Sequence, residues 1–212
     1  GFQFGSIGDV MPDVQVRIDP ENSEILVKGK TVMSGYYNKP AENEKAFTED
    51  GYFRTGDAGR MEGNTLFFTE RIKDLYKTSN GKYIAPQAIE MVMSGDQYIE
   101  QIAVIGDQRK FVSALIVPVY SLLEKYAEEK GLAVGSREEL VRNKEVLRLI
   151  ETHIEENQKN LASYEKIKRF TLLSEPFTMG SELTDTLKLR RSVILKKYAD
   201  SIEKMYEEAS NL

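Results

Sequence analysis

Glu70-Arg71-Ile72-Lys73-Asp74 marks the place where the chain changes character. Before it, Val14, Val16 and Ile18 alternate with polar neighbours, the spacing of a half-buried strand. Asp19-Pro20-Glu21-Asn22-Ser23 reads as a turn, and Ile25 and Val27 begin a second strand, so the pair predicts a hairpin. Gly35, Gly51, Gly56, Gly59 and Gly63 punctuate the rest of this β-rich half.

After the border, Pro86 suits a first helical turn leading into Gln87–Val92. Ile102–Ile105 and Ala114–Val119 read as strands joined by the polar turn Gly106-Asp107-Gln108-Arg109. Ser121-x-x-Glu124 and Ser136-x-x-Glu139 match the capping box. The second is expected to open a long helix with Leu140, Leu147, Ile150 and Ile154 on one stripe. Phe170–Leu173 predicts a further strand. A final helix is expected from Leu189 to Ala209, burying Val193, Ile194, Tyr198, Ile202 and Met205. The expected fold class is α+β: a small β-rich subdomain over residues 1–72, then an α/β domain over 73–212 with a small central sheet and flanking helices. The border has no Pro/Ser-rich linker, and its charged residues suggest a hinge.

Composition narrows the function. The 212 residues are 41% apolar and 30% charged, the balance of a globular protein. Absence of cysteine excludes disulfides and thiolate metal sites. A net charge of −5 argues against non-specific nucleic-acid binding. No apolar run reaches the roughly 20 residues that span a bilayer. The opening Gly1-Phe2-Gln3-Phe4-Gly5 has no signal-peptide pattern and reads as an internal cut. His153, among Glu151, Glu155 and Glu156, is expected on a solvated helix face without a catalytic or metal role. No metal-ligand cluster is evident within the chain.

Three constellations could carry chemistry. In Thr55-Gly56-Asp57, a carboxylate at a glycine turn can accept hydrogen bonds from a vicinal diol such as a ribose; the plainer reading is a turn cap. Arg71 could reach a ribose hydroxyl or phosphate with its planar fork. Ser79-Asn80-Gly81 could let backbone approach a thin ligand; the plainer reading is a charged strand end and an ordinary hairpin. In Glu182-Leu183-Thr184-Asp185-Thr186-Leu187-Lys188, the lysine could meet oxygens that become negative in a transition state; the plainer reading is a solvated lysine at a helix start. Taken alone, each favours its plainer reading.

Order and combination change this. The chain resembles the AMP-forming acyl-CoA synthetases of the adenylate-forming superfamily, from Gly5-Ser6-Ile7-Gly8 through Glu24–Gly29, Val32–Pro40, Phe47–Asp57 and Arg71–Pro86 to the loop around Lys188. Thr186-Leu187-Lys188 stands where many relatives have Ser/Thr-Gly-Lys, and with Lys82–Pro86 it looks like the long-chain fatty acid branch. The resemblance implies that a fatty acid attacks the α-phosphate of ATP, giving acyl-adenylate and pyrophosphate. CoA then displaces AMP. It further implies that Asp57 binds the ribose hydroxyls and Arg71 supports that contact. Lys73 matches the hinge, Gly81 lines the approach of CoA, and Lys188 bridges carboxylate and phosphate oxygens.

The family's phosphate loop and its Tyr-Gly-x-Thr-Glu stretch are absent, so residues 1–72 would be the remnant of a large N-terminal domain. That missing domain is the expected partner and the expected source of the Mg²⁺ ligands. The fragment alone is expected to be inactive. The parent is expected in the cytoplasm, with peripheral membrane contact as a further expectation. Two alternatives remain: a carrier-protein acceptor in place of CoA, or a non-catalytic binding fragment.

Overall fold

The computed structural model describes residues 6–32, 35, 36 and 38–207. Gly1–Gly5, Met33, Ser34, Tyr37, Glu208 and Ala209 of the stretches quoted above lie outside these. The fold is mixed α+β, and the chain divides into two compact units. One holds the residues up to Tyr76 together with Tyr83–Ala88; the other holds Lys77–Lys82 and the residues from Ile89 onward.

The first unit is built on a five-stranded antiparallel sheet. Its strands are β1 (Ser6–Asp9), β2 (Val14–Ile18), β3 (Glu24–Gly29), β4 (Phe53–Glu62) and β5 (Thr65–Arg71), in the order β1-β5-β4-β3-β2. The β2–β3 hairpin follows from alternation and turn chemistry. The Asp19 carboxylate accepts from the Glu21 N–H and the Asn22 side chain from the Glu24 N–H, closing the turn above the Ile18–Ile25 pair. The two-residue Gly63-Asn64 turn, with Gly63 at φ 60°, joins β4 to β5. A short helix, α1 (Pro40–Ala46), precedes β4. Ile25, Leu26, Ala58, Phe67 and Ile84 are buried.

The second unit holds a three-stranded sheet of β8 (Ile99–Ile105), β9 (Val112–Pro118) and β10 (Ile167–Leu172), with β9 central, antiparallel to β8 and parallel to β10. Near the border of the two units, the two-residue strands β6 (Tyr76–Lys77) and β7 (Tyr83–Ile84) form a separate ladder, followed by helix α2 (Pro86–Ser94), which starts at the expected Pro86. Every residue of β9 is buried, so both faces of this sheet are covered, and its near-continuous Val/Ile/Leu/Ala run follows from that. On one face Ala103, Ile105, Leu115 and Val117 cluster with Leu173, Phe177, Leu183, Ile194, Ile202 and Met205. The last three come from α6 (Arg191–Lys197) and α7 (Ala199–Glu207).

The helices correct several expectations. The Ser121 capping box does not form. Helix α3 (Tyr120–Glu129) starts two residues earlier, with the Val119 carbonyl accepting from the N–H groups of Leu122 and Leu123, so Ser121 is already inside the first turn. Ser136 does accept from the Glu139 N–H, at 3.2 Å, but the helix it caps, α4, covers only Arg137–Leu140. The longer α5 (Lys144–Asn157) has its own cap in Asn143, which accepts from the N–H groups of Glu145 and Val146. Its buried stripe is Val146, Ile150 and Ile154, with Leu147 only half-buried. The final helix is broken at Tyr198, whose backbone (φ −106°, ψ 21°) leaves the helical region as its ring packs toward Phe177.

His153 is not on a solvated face. Its Nδ1 lies 2.7 Å from the Asp96 carboxylate, and its ring meets Tyr98 edge-on at 4.8 Å. Burial alone would raise the Asp96 carboxyl. Hydrogen bonds from the Tyr98 N–H, His153 and Asn157 outweigh it and hold the group below its ordinary value. The single histidine thus ties α5 to the segment before β8.

Candidate functional site

Asp57 and Arg71 are brought together by an irregularity of the sheet. From the Gly63-Asn64 turn the β4–β5 ladder runs Glu62–Thr65, Met61–Leu66, Arg60–Phe67 and Gly59–Phe68. Continued unbroken, it would set Asp57 opposite Glu70. A bulge between Ala58 and Gly59 shifts the register by one, and Asp57 faces Arg71 instead. Directly paired residues share a face of the sheet. Asp57 is half-buried and Arg71 exposed. Neither side chain has an ion-pair or hydrogen-bond partner among the described residues, so a carboxylate and a guanidinium stand side by side with their bonding capacity free.

The turn before Asp57 is anchored from below. Glu24, only 5% exposed, accepts from the Gly56 N–H at 3.0 Å and from the Arg54 guanidinium at 2.9 Å. The Thr55 hydroxyl donates to the Ile25 carbonyl at 2.6 Å and accepts from the Asp57 N–H at 3.2 Å. Gly56, at φ 73°, takes the left-handed conformation this geometry needs. Glu70, buried on the other side of Ala58, accepts from the Gln87 N–H at 2.9 Å. Sequence reasoning passed over both glutamates. The available signal was an acidic residue abutting an apolar strand run, Glu24-Ile25-Leu26-Val27.

Lys73 lies in a single 3₁₀ turn, Ile72–Asp74, directly after β5, and is exposed. Gly81, at φ 79°, closes the turn Thr78–Lys82, where the Thr78 N–H donates to the Lys82 carbonyl and the Gly81 N–H to Thr78, both at 2.9 Å. This turn is fastened to the β8–β9 connection: the Ser79 N–H donates to the Arg109 carbonyl and the Gln108 N–H to Lys77. A Cβ on Gly81 would meet no atom within 4 Å, so its outer side is open.

Lys188 is exposed on a hairpin that different elements hold. At the tip, the Thr184 N–H donates to the Lys188 carbonyl and the Leu187 N–H to Thr184, both at 2.9 Å, while the Lys188 N–H reaches the Thr184 hydroxyl at 3.1 Å. Leu187, where glycine is common in the resembled family, sits at φ 60° with its side chain 65% exposed. At the foot, Glu182 is fully buried and accepts from the Thr178 N–H at 3.0 Å and from the Lys197 ammonium. Burial would raise its carboxyl, yet Lys197 and the Thr178 N–H together hold it at about 2. On the exit side, Arg191 makes a bidentate pair with Glu90 at 2.7 and 3.0 Å, and Glu90 also accepts from the Val104 N–H. None of Glu90, Glu182 or Lys197 stood out in the sequence, because each partner is remote along the chain.

A leucine in the left-handed region is strained, and exposure denies it compensating packing. Leu187→Gly is therefore expected to stabilise the second unit by a few tenths to about 1 kcal/mol, the relieved strain less the added unfolded-state entropy. A rise in the urea midpoint measures it; a fall would show that the leucine side chain contributes packing.

Comparison with known proteins identifies the class. A model of the AMP-binding enzyme C-terminal domain matches residues 73–210, and the chain belongs to that family. The long-chain-fatty-acid–CoA ligase FadD15 of Mycobacterium tuberculosis is 32% identical over 210 residues, 98% of this chain and 35% of that protein. Long-chain-fatty-acid–CoA ligase 5 of Mus musculus is 35% identical over 189 residues, 87% of this chain and 28% of that protein. The chain thus spans about a third of the length of the curated relatives it matches. Among solved structures, the adenylation domain of a carboxylate reductase from Mycobacterium chelonae aligns with a TM-score of 0.61 and 27% identity, covering 95% of this chain and 32% of that one.

Proposed function

We propose that this chain is the C-terminal portion of a long-chain fatty acid–CoA ligase, which joins a fatty acid to AMP at the expense of ATP and then passes the acyl group to CoA. The observation that supports this most is the Asp57–Arg71 juxtaposition. Two unspent polar groups on adjacent strands suit a ribose: the carboxylate accepts from its vicinal hydroxyls and the guanidinium donates to ribose or phosphate oxygens. Lys188, a compact charge on an anchored hairpin, would meet the carboxylate and α-phosphate oxygens as negative charge builds there. Gly81, on a turn with an open outer side, suits the approach of the CoA arm.

In this reading residues 73–212 are the mobile domain, Lys73 lies at its hinge, and rotation exchanges the Lys188 hairpin for the Gly81 turn between the two steps. Among the described residues no group of three carboxylate or histidine side chains could hold a metal. Mg²⁺ would be held by the remainder of the protein, where it would help neutralise the triphosphate. The parent would be cytoplasmic, with peripheral membrane contact to reach its fatty acid.

ATP–pyrophosphate exchange by the whole protein with palmitate-like and acetate-like acids tests the reading. Exchange with the long acid is expected, and none from residues 1–212 alone. Absence of exchange with any carboxylic acid refutes it. A second reading, transfer to a carrier-protein thiol, is favoured by the likeness to a carboxylate reductase adenylation domain. AMP release with free CoA against carrier protein separates the two.

A further inference from the structure

We propose that Glu182, through its pair with Lys197, is a positioning residue for Lys188: the pair locks the foot of the hairpin and so holds the strained Leu187 turn in the conformation that presents the ammonium. The catalytic side of this proposal rests on the adenylation role proposed for Lys188. The mechanical side stands on the fold alone.

A left-handed leucine persists only where its surroundings over-determine it. At the tip, four hydrogen bonds close the turn, but all of them run among Thr184, Thr186, Leu187 and Lys188 themselves. The tip has no buried side chain of its own from Thr184 to Lys188. What fixes it must therefore lie at the foot, and the foot converges on one residue. The Glu182 carbonyl accepts from the Arg190 N–H at 2.7 Å, closing the hairpin across its base. The Glu182 carboxylate draws in the Thr178 N–H on one oxygen and Lys197 on the other. The Arg190 guanidinium completes the collar by donating to the Ser181 carbonyl at 3.0 Å and the Gly180 carbonyl at 3.4 Å. Leu183 then enters the core beside Ile194, on the helix that carries Lys197.

A buried carboxylate is a costly way merely to stabilise a loop, since an apolar group of the same volume would often serve as well. Its value is geometric. Oxygens on a short, fixed side chain specify where Thr178 and Lys197 sit, and the backbone between Glu182 and Arg190 has little freedom left. The charge of Lys188, without an ionic partner among the described residues, is then displayed at a set distance from a rigid base.

Hydrogen exchange on the 212-residue chain is the first test. Loss of a charged hydrogen bond is expected to speed exchange at the Thr184, Leu187 and Lys188 amides about tenfold in Glu182→Gln, with the Ala114–Val117 amides of β9 unchanged. Lys197→Met, which keeps the carboxylate but removes its counter-charge, should give the same pattern. Adding Leu187→Gly to Glu182→Gln removes the strain and should return the tip to slow exchange, a rescue that a purely structural role would not produce. Unchanged tip amides, acceleration shared with β9, or no rescue would overturn the proposal. The second test compares half-reactions in the whole protein, with Lys188→Ala as reference. Glu182→Gln should slow adenylation and spare thioester formation from supplied acyl-adenylate. If Lys188→Ala impairs adenylation and Glu182→Gln does not, the positioning role fails. If Lys188→Ala itself has no effect, the functional reading fails, and the exchange experiment alone decides whether Glu182 fixes the hairpin.

Discussion

Lys188→Ala is expected to slow acyl-adenylate formation about 10²–10³-fold in the whole protein, the usual cost of removing one preorganised group that stabilises developing charge. Conversion of supplied acyl-adenylate to the thioester should be largely unaffected. The asymmetry follows from the chemistry of the steps. In the first, a carboxylate oxygen attacks a phosphorus already surrounded by anionic oxygens, and a compact cation offsets the crowding of charge. In the second, a thiol displaces AMP from a carbonyl carbon, and the hairpin has no part in the proposed arrangement. Lys188 suits the first task because it is exposed and has no ionic partner among the described residues. ATP–pyrophosphate exchange and single-turnover thioester formation measure the two steps separately. Equal loss of both would contradict the assignment.

Gly59→Ala should be the most disruptive small substitution in the first unit. A Cβ at residue 59 would stand 2.4 Å from the Phe67 carbonyl oxygen and 2.6 Å from the Ile25 side chain. The carbonyl belongs to the neighbouring strand and cannot swing aside as a flexible side chain would. Overpacking of this kind costs about 1–3 kcal/mol. Its functional effect should exceed that figure's implication, because Gly59 flanks the bulge, whose extra residue is Thr69 of β5, that places Asp57 opposite Arg71. Relaxing the clash by restoring a regular ladder would set Asp57 against Glu70, two carboxylates face to face. A lowered melting temperature and weakened ATP binding in the whole protein are expected together. An unchanged melting temperature would show that the strands accommodate the methyl group.

The two halves of the fold were legible for different reasons. Val14, Val16 and Ile18 have period two and a polar turn behind them, and β2–β3 formed as that pattern requires. The apolar run Ala114–Val119 read as a strand, and β9 forms there with both faces covered, which the run itself did not distinguish from a half-buried strand. Helix starts were less legible, because Ser121 and Ser136 carry the same local signal. Only at Ser136 does the backbone leave a free N–H where the hydroxyl can meet it. For the site, residue types in order indicated Asp57, Arg71 and Lys188, but not how they are held. The facing of Asp57 and Arg71 depends on one extra residue at a bulge. The hairpin of Lys188 depends on Glu182 and Lys197, 15 residues apart. Local patterns carry no information about either. Glycines differ in the same way: Gly56 is required by its left-handed backbone, Gly59 by a carbonyl eight residues along the chain.

The Glu182–Lys197 pair has a consequence for titration. The Glu182 carboxyl is depressed from 4.5 to about 2, so its contribution to stability is complete above 4.5 and is lost as pH falls through about 2. Lys197 is raised above 10.5 by the same partner, so its contribution is complete below 10.5 and is lost only as pH climbs through that higher value. Between these limits neither proton moves. The base of the hairpin therefore keeps one charge state from mildly acidic to strongly alkaline solution, and a change of pH within that span leaves the anchorage of the Lys188 hairpin unaltered.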